Sequence, residues 1–301
     1  MDPGYRILAA QYVRRQAKQL AEQLEGVRAA EDIEFIHRAR VATRRLRAAL
    51  RMFDGCFARK QIRRWRKAIR RTTAALGDAR DRDVQIELLC GTLSALSAKE
   101  CFPGISRILV QLERDRERLQ RKVVQAVGRL EARGILSEMR RAADRLLLAH
   151  SISAPTADPA QPGTNVPRPQ TPEAIERVAR HVVRQLDELI EHQDSLANPE
   201  DRERHHAMRI AAKRLRYTLE ISRLVHPGRL DAIVEAIKKV QTLLGDVHDC
   251  DVWLDHLDAF ARAECKRIIS MFGHAGRFQH LLPGIEYLQG DLRGRRQKRF
   301  Q

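Results

Sequence analysis

Apolar residues recur every three or four positions along almost the whole chain, and this spacing predicts helices. The segments are rich in Ala, Leu, Arg, Glu and Gln, and the alternation of β-branched residues that is typical of strands is hard to find. We therefore predict an all-α fold. The predicted helices cover residues 5–25, 32–53, 59–76, 80–98, 104–131, 134–149, 172–196, 200–225, 229–244, 248–270 and 275–295.

A proline-rich segment interrupts this pattern in the middle of the chain. Residues 151–172 contain six of the eleven prolines and almost no large apolar side chains, which is typical of a linker or a long loop. The segment separates two parts with similar numbers of predicted helices. The sequence thus predicts a first helical bundle over residues 1–150 and a second over residues 173–301, joined by this linker.

Two motifs occur once in each part, in the same order. The first begins at His37 and again at His206, an offset of 169 residues. The second, Leu-Gly-Asp-x-x-Asp-x-Asp-Val, begins at Leu76 and again at Leu244, an offset of 168 residues. Two ordered matches at nearly the same offset indicate an internal duplication, so we predict two homologous helical bundles related by a pseudo-two-fold axis.

The first motif places cations along one face of a helix. In the first copy this face carries His37, Arg40, Arg44, Arg47 and Arg51, and the opposite face carries Ala39, Ala42, Leu46, Leu50 and Phe53. In the second copy the basic face carries His206, Arg209, Lys213 and Arg216, and the apolar face carries Met208, Ala211, Leu215 and Leu219. Successive helical turns are about 5.4 Å apart, so such a stripe suits a linear anion with closely spaced charges.

A solvated surface is the alternative interpretation of this stripe, because basic runs on helices are usually exposed to water. Two observations favour a binding function instead. Like charges three and four residues apart destabilise a helix, and acidic partners are largely absent from the stripe. The pattern also recurs in the second half, and its histidine recurs with it.

The second motif predicts a tight corner between two helices. In each copy the glycine suits the left-handed position that ends one helix, and the first aspartate suits the N-cap of the next. These residues are Gly77 and Asp78 in the first copy and Gly245 and Asp246 in the second. We also expect the aspartates of the motif to hold arginines of a neighbouring helix in position.

The second copy also allows a metal-dependent phosphohydrolase as an alternative. His248 and Asp249, with His206 upstream, loosely resemble the metal ligands of all-helical HD phosphohydrolases. The first copy has Arg80 and Asp81 at the corresponding positions, so His248 is more simply a variable residue. We predict neither a metal site nor a catalytic residue.

The composition points to a polyanionic partner. The 56 basic and 39 acidic residues give a formal net charge of +17, and residues 1–150 contain 33 of the basic but only 18 of the acidic residues. The basic segment 293–299 is typical of a frayed end that adds nonspecific phosphate affinity.

The five cysteines are widely spaced and odd in number, which predicts reduced, structural thiols. Without a signal-peptide pattern or a long apolar run, we expect a cytoplasmic protein that does not bind membranes.

Together, the duplicated motifs resemble those of the CHAD family, a helical domain named for its histidines. The residues that carry the resemblance are His37-x-x-Arg40-Val41-x-x-Arg44-Arg45-Leu46-Arg47 and Leu76-Gly77-x-x-Arg80-Asp81-x-Asp83-Val84, with second copies from His206 to Arg216 and from Leu244 to Val252. The resemblance implies two pseudo-symmetric helical bundles around a central basic cleft or pore that binds inorganic polyphosphate, and association with polyphosphate granules. Some members carry an N-terminal CYTH triphosphate-tunnel domain, for which the stretch before His37 is too short, so binding without hydrolysis is implied.

The main hypothesis is therefore non-enzymatic polyphosphate binding that needs no cofactor. The candidate phosphate-binding residues are His37, Arg40, Arg44, Arg45, Arg47, Arg51, Arg70, His206, Arg209, Lys213, Arg214, Arg216 and Lys238. Glu220 stands at the position of Arg51, and His248 at that of Arg80, which predicts weaker binding by the second half. The second hypothesis is nonspecific binding to RNA or DNA backbones. Tyr217 is the one aromatic residue of the stripes, which makes reading of bases less favoured.

Overall fold

The structure is a computed structural model that describes residues 1–30, 32–151 and 169–300, and these residues form helices and connections but no β-strand. The all-α prediction is confirmed. Most of the predicted linker, residues 152–168, lies outside the described residues. Within the described ranges, no helix is long and apolar enough to cross a membrane. The α-helices there are α1 (Pro3–Ala21), α2 (Leu24–Ala29), α3 (Ile33–Met52), α4 (Arg59–Ala95), α5 (Phe102–Ala132), α6 (Ile135–Ser151), α7 (Pro172–Ile190), α8 (Arg202–Ser222), α9 (Asp231–Phe272) and α10 (Leu282–Phe300).

Side-chain caps fix the starts of α1 and α3. The Asp2 carboxylate accepts a hydrogen bond from the Tyr5 backbone N–H at 2.6 Å, and Pro3 occupies the first turn, where no N–H donor is needed. The Asp32 carboxylate accepts one from the Glu34 N–H at 2.8 Å. The start of α3, the helix of the first motif, is thus set by local sequence.

The chain divides into two compact units. Unit 1 comprises Met1–Arg80, Leu119–Ile190 and Ala211–Ile237, and unit 2 comprises Asp81–Arg118, Glu191–Ile210 and Lys238–Gln301. Each unit contains segments from both sequence halves, and the boundaries fall inside α4, α5, α8 and α9. The division into 1–150 and 173–301, the duplication and the central cleft or pore stay predictions.

The core of unit 1 is built on α1, α3, α4 and α6. Helix α1 packs against α3 and α6. Fully buried side chains from α1, α3, α4 and the turn after α3 meet in this core, including Leu8, Leu20, Ile36, Leu46, Phe53 and Trp65. Because α3 and α4 both turn their apolar faces into this core, their basic faces are directed away from it.

The core of unit 2 depends on a close approach of α5 and α10. A Cβ on Gly104 would lie 2.2 Å from the Leu281 carbonyl oxygen, and a Cβ on Gly284 would lie 2.2 Å from the Cys101 carbonyl oxygen. Only glycine allows the two backbones to meet at this distance. Around this contact, the buried core residues include Leu89, Ile105, Ile108, Leu112, Leu257 and Leu288.

The corners predicted at the second motif are wrong. The predicted helices 59–76 and 80–98 form the single helix α4, and 229–244 and 248–270 form the single helix α9. Gly77 and Gly245 are not among the residues with positive φ. The apolar stripe continues through both motifs, with Leu76, Ala79, Leu244 and Val247 all buried. This continuous burial outweighs the roughly 1 kcal/mol that a glycine costs inside a helix.

The predicted structural role fits three of the five cysteines, whereas Cys90 is exposed and Cys265 is half-buried. All five are free thiols, and Cys56, Cys101 and Cys250 are buried. Burial raises the pKa of Cys56 to about 12, so this thiol stays protonated.

Candidate functional site

Helix α3 separates its cations from its apolar side chains as the sequence predicted. The residues of the apolar face, each at most 3% exposed, are Ala39, Ala42, Leu46, Leu50 and Phe53. On the other side, His37, Arg40, Arg44 and Arg47 are half-buried and Arg51 is exposed. Half-burial packs the aliphatic stems of the arginines against the protein and leaves their charged ends at the surface.

Helix α8 repeats this separation of faces. Its buried apolar residues are Met208, Ala211, Leu215 and Leu219. The basic residues of this copy are divided between the units, because His206 and Arg209 belong to unit 2, whereas Lys213, Arg214 and Arg216 belong to unit 1. Unit 1 therefore contains the first copy of the motif and the C-terminal part of the second.

Glu220 holds two of the predicted phosphate-binding arginines in ion pairs within unit 1. Arg45 Nε donates to Glu220 Oε2 at 2.9 Å, and Arg216 Nη1 donates to Glu220 Oε1 at 2.6 Å. The guanidinium of Arg216 also lies 4.4 Å from the ring centroid of Tyr217. The Arg45 ion pair joins α3 to α8. Glu220 thus holds Arg45 and Arg216 in place, and their predicted phosphate contacts stay predictions.

An open groove of about 690 Å³ lies beside α3 and the first half of α4. Of the predicted site residues, Arg47, Arg51 and Arg70 line it. The full lining is Arg47, Arg51, Asp54, Arg59, Ile62, Arg63, Arg66, Lys67 and Arg70, which is seven basic residues against one acidic residue. We call this space the arginine groove.

The guanidinium groups beside the arginine groove lie close enough to repel one another. Burial and the positive charges of Arg44, Arg70 and Arg214 lower the pKa of Arg47. A lowered pKa of an arginine means that its surroundings disfavour the charged form. An anion that enters the groove therefore relieves a repulsion that is present in the free protein.

Arg214 brings a charge from α8 to this cluster. Its side chain forms an ion pair with Glu188 of α7. Burial, followed by the charge of Arg214, lowers the pKa of Arg51, while Glu188 acts in the opposite direction. The structure thus brings together Arg44, Arg47, Arg51, Arg70 and Arg214 from α3, α4 and α8.

Arg66 fixes the wall of the arginine groove. It donates to the Leu50 carbonyl oxygen from Nε at 3.2 Å and from Nη2 at 2.6 Å, and Nη2 lies 3.1 Å from Asp54 Oδ1. The last carbonyl groups of a helix have no partner within that helix. Arg66 satisfies one of them and thereby ties α4 to the end of α3.

The sequence analysis missed four basic residues of the groove: Arg59, Arg63, Arg66 and Lys67. They recur at helical spacing on α4, whereas the buried Trp65 and Ile69 lie on another side of that helix. The periodicity that revealed the stripe of α3 is present here too. These residues lie outside the duplicated motifs.

His37, Arg40 and Lys213 belong to unit 1 but do not line the arginine groove. Arg40 lies beside α4, since a Cβ on Gly77 would be 3.7 Å from Arg40 Nε. Lys213 is half-buried on α8. For these residues, the predicted phosphate contact stays a prediction.

His206, Arg209 and Lys238 belong to unit 2. There, His206 Nδ1 lies 3.3 Å from His248 Nδ1, with ring centroids 4.6 Å apart. In the described ranges, no group of three or more His, Cys, Asp and Glu side chains is arranged to hold a metal ion.

The third aspartate of each second motif is buried against an arginine of unit 2. Arg116 Nε donates to Asp83 Oδ1 at 2.5 Å, and Arg296 Nε donates to Asp251 Oδ1 at 2.7 Å. Arg296 also donates to the Pro199 carbonyl oxygen at 2.6 Å. The aspartates thus hold arginines of other helices, as expected. The basic end of the chain is an anchored part of α10, which corrects its interpretation as a frayed extension.

Comparisons with known proteins give a consistent result for the fold. The model of the CHAD domain family matches residues 11–258. The crystal structure of the CHAD domain from the plant Ricinus communis is similar with a TM-score of 0.62 and 19% identity, covering 97% of this chain and 86% of that chain. PptA from Streptomyces chartreusis is similar with a TM-score of 0.51 and 18% identity, covering 97% of this chain and 98% of that chain. No curated protein sequence matches the chain.

Proposed function

This chain belongs to the CHAD domain family, and we propose that it is a non-enzymatic protein that binds inorganic polyphosphate in the arginine groove of unit 1. Family membership fits a polyphosphate-related role, and the groove supplies the chemistry for it. Arg47, Arg51 and Arg70 contact the phosphate groups. In the cell, this binding places the protein on polyphosphate granules.

One observation carries the proposal: the groove gathers seven basic residues, and acids of the described residues leave its Arg47 and Arg70 unneutralised. Among the described residues, no carboxylate lies within 4 Å of the guanidinium groups of Arg47 or Arg70. The nearest charges that act on Arg47 are those of other arginines. Most arginines of a protein surface are solvated singly or paired with acids, so an unneutralised cluster is typical of an anion site.

Polyphosphate matches this site in charge and shape. It is a linear anion with a negative charge on each repeating unit, and arginine side chains bind phosphate oxygens with two parallel hydrogen bonds. The groove is open to solvent, so a linear chain can enter it. Binding releases counterions, which makes the affinity fall steeply as salt is added.

The ion pairs around the groove support this binding indirectly. The Arg45–Glu220 pair joins α3 to α8, and Arg66 joins α4 to the end of α3. These contacts hold the three helices that carry the unneutralised arginines. Less side-chain and backbone freedom is then lost when the anion binds, which strengthens binding.

The proposal is tested by competition. Labelled long-chain polyphosphate is bound to the protein at about 0.15 M salt, where weak binding to surface charges is largely screened. Duplex DNA, RNA and pyrophosphate are then titrated as competitors. We expect long-chain polyphosphate to be displaced only by much higher phosphate concentrations of each competitor. Equal displacement by RNA or DNA would overturn the proposal in favour of nonspecific nucleic-acid binding.

A matched pair of variants links the binding to the groove. Arg47→Gln with Arg70→Gln is expected to lower the affinity for long-chain polyphosphate about 100-fold, since two charge-assisted contacts are lost at about tenfold each. Arg140→Gln with Arg141→Gln removes the same charge from exposed positions of α6. This control changes the affinity only about twofold, and an equal loss in both variants would mean that net charge alone drives binding.

A further inference from the structure

Helix α7 of unit 1 carries a second row of arginines that lies outside both motifs. Arg177, Arg180 and Arg184 are spaced by three and four residues, so they lie on one face of the helix together with His181. Ala174 and Val178, which are at most 1% exposed, pack on the side of the helix next to His181. The row thus presents its cations beside the packed side of α7.

Two small grooves run along this row. One, of about 350 Å³, is lined by Arg177, Arg180, His181 and Arg184. The other, of about 290 Å³, lies between α3, α7 and α8, and Arg51, Arg184 and Arg214 line it. Arg51 also lines the arginine groove. Arg184 and Arg51 thus connect the row on α7, through shared walls, to the groove on α3 and α4.

A chain of hydrogen bonds holds the middle of the row in place. Tyr5 Oη donates to the Met52 carbonyl oxygen at 2.7 Å, so it accepts from His181 Nε2 at 3.2 Å. With its proton on Nε2, His181 accepts at Nδ1 from Arg184 Nη2 at 3.0 Å. The chain ends at the last residue of α3. It therefore orients Arg184 relative to Arg51 through buried and half-buried groups.

The row is neutralised as little as the arginine groove. Arg180 Nη2 lies 3.7 Å from Glu176 Oε1, but both side chains are about two-thirds exposed, at 67% and 68%, so this pair is weak. Arg177 lies over the Tyr5 ring, 5.7 Å from its centroid. Burial and the charges of Arg184, Arg180 and Arg177 lower the pKa of His181. Positive charge thus accumulates at this second position as well.

We propose that Arg177, Arg180 and Arg184 form a second phosphate subsite, which binds a distant part of the same polyphosphate chain that occupies the arginine groove. The proposal rests on the proposed function of unit 1. It makes Arg51 the bridging residue, because Arg51 borders both spaces.

The subsite makes the affinity depend on chain length. Arg177 and Arg184 are seven residues apart, which is about 10 Å along the helix axis. A triphosphate is too short to occupy this row and the arginine groove together, whereas a chain of many phosphates spans both. Its second contact is then intramolecular, and the gain comes from effective concentration. The affinity for long-chain polyphosphate therefore depends on both subsites, whereas the affinity for triphosphate does not require both.

The test compares tripolyphosphate with long-chain polyphosphate on the full chain. The variant Arg177→Gln/Arg180→Gln/Arg184→Gln is expected to bind the long chain at least about tenfold more weakly and tripolyphosphate within about twofold of the unmodified protein. Its slope of log affinity against log salt for the long chain becomes shallower by about 2, since about 0.7 is contributed by each lost phosphate contact. The matched control is Arg140→Gln/Arg141→Gln/Arg145→Gln on α6, which removes three charges from exposed positions.

The outcomes distinguish the subsite from the proposed function. If the unmodified protein does not prefer polyphosphate, the proposed function itself fails. If it does, and the α7 variant keeps its long-chain affinity or loses affinity for both ligands alike, the second subsite is overturned. Because Arg184 donates a hydrogen bond to His181, its replacement could disturb the fold, so thermal unfolding is used to check that the variant is folded. Arg180→Gln is a second variant that should not disturb the fold, because the one ion pair it removes is the exposed pair with Glu176. We expect this single change to weaken long-chain binding about two- to threefold.

Discussion

Replacing Arg47 by glutamine is expected to weaken polyphosphate binding while leaving the free protein at least as stable. The two effects come from the same feature. Other arginines lower the pKa of Arg47, and no carboxylate of the described residues pairs with it. Its charge therefore raises the free energy of the folded protein and lowers that of the complex with an anion.

The magnitude follows from the neighbours of Arg47. Three positive charges act on it, those of Arg44, Arg70 and Arg214. Each such like-charge pair costs about 0.2–0.5 kcal/mol, so removing the Arg47 charge relieves about 0.6–1.5 kcal/mol. The lost packing of the half-buried stem offsets roughly 0.5 kcal/mol of this gain, because glutamine keeps only part of the stem. The affinity for polyphosphate falls about tenfold or more with the loss of one charge-assisted contact.

Arg45→Gln is the matched control. It lies two residues from Arg47 on the same helix and undergoes the same chemical change, but its Nε donates to Glu220 at 2.9 Å. Losing this partly buried ion pair lowers the free energy of unfolding by about 1–2 kcal/mol. Urea unfolding at 0.15 M salt measures the stabilities, and titration with polyphosphate measures the affinities. If Arg47→Gln destabilises the protein as much as Arg45→Gln does, the repulsion argument is refuted and Arg47 has a structural role.

Two further predictions concern the helices and the histidines. Gly245→Ala raises the free energy of unfolding by about 0.5–1 kcal/mol, because residue 245 is inside α9 and an added Cβ meets nothing within 4 Å. Gly284→Ala lowers the free energy of unfolding, because its Cβ would lie 2.2 Å from the Cys101 carbonyl oxygen. If urea unfolding showed that Gly245→Ala is less stable than the unmodified protein, the result would contradict a continuous α9 and support a helix corner at the second motif. Burial, with Arg177, Arg180 and Arg184 around His181 and with Arg82 near His256, lowers both histidine pKa values below 6.5. The unfolded chain then binds more protons than the folded chain, so the thermal midpoint falls as the pH drops from 7.5 to 5.5. We expect a smaller fall in His181→Gln/His256→Gln. If the midpoint depended equally on pH in both proteins, the two histidines would not be the source of the effect.

The helices and their buried faces were predictable because both depend on residues that are close in sequence. The spacing of Leu46 and Leu50 places them on one side of α3 whatever α3 packs against. The second motif failed for the opposite reason. Gly77 and Gly245 carry a local signal for a helix end, but the burial of Leu76 and Leu244 keeps the helices continuous, and burial depends on the tertiary structure.

Which arginines stay unneutralised was not predictable from the motif. Arg45 lies two residues before Arg47 on α3, and the motif does not indicate that Glu220 of α8 pairs with it. In the second copy of the motif, Glu220 stands where the first copy has Arg51, and the sequence analysis interpreted this as the loss of a cation. The structure shows that this substitution supplies the acid that fixes α3 to α8. A pairing between residues 175 positions apart leaves no trace in helical periodicity.

The paired and the unneutralised arginines of unit 1 depend on each other. An arginine loses about 1.5–2 kcal/mol of rotamer entropy when it is immobilised, so a flexible cluster would lose much of its affinity in ordering itself around an anion. Arg66 and Glu220 hold α3, α4 and α8 before the anion arrives, and the buried side chains of Phe53 and Trp65 stabilise that arrangement against the repulsion. The repulsion at Arg47 is thus already present in the free protein, and the anion that binds removes it.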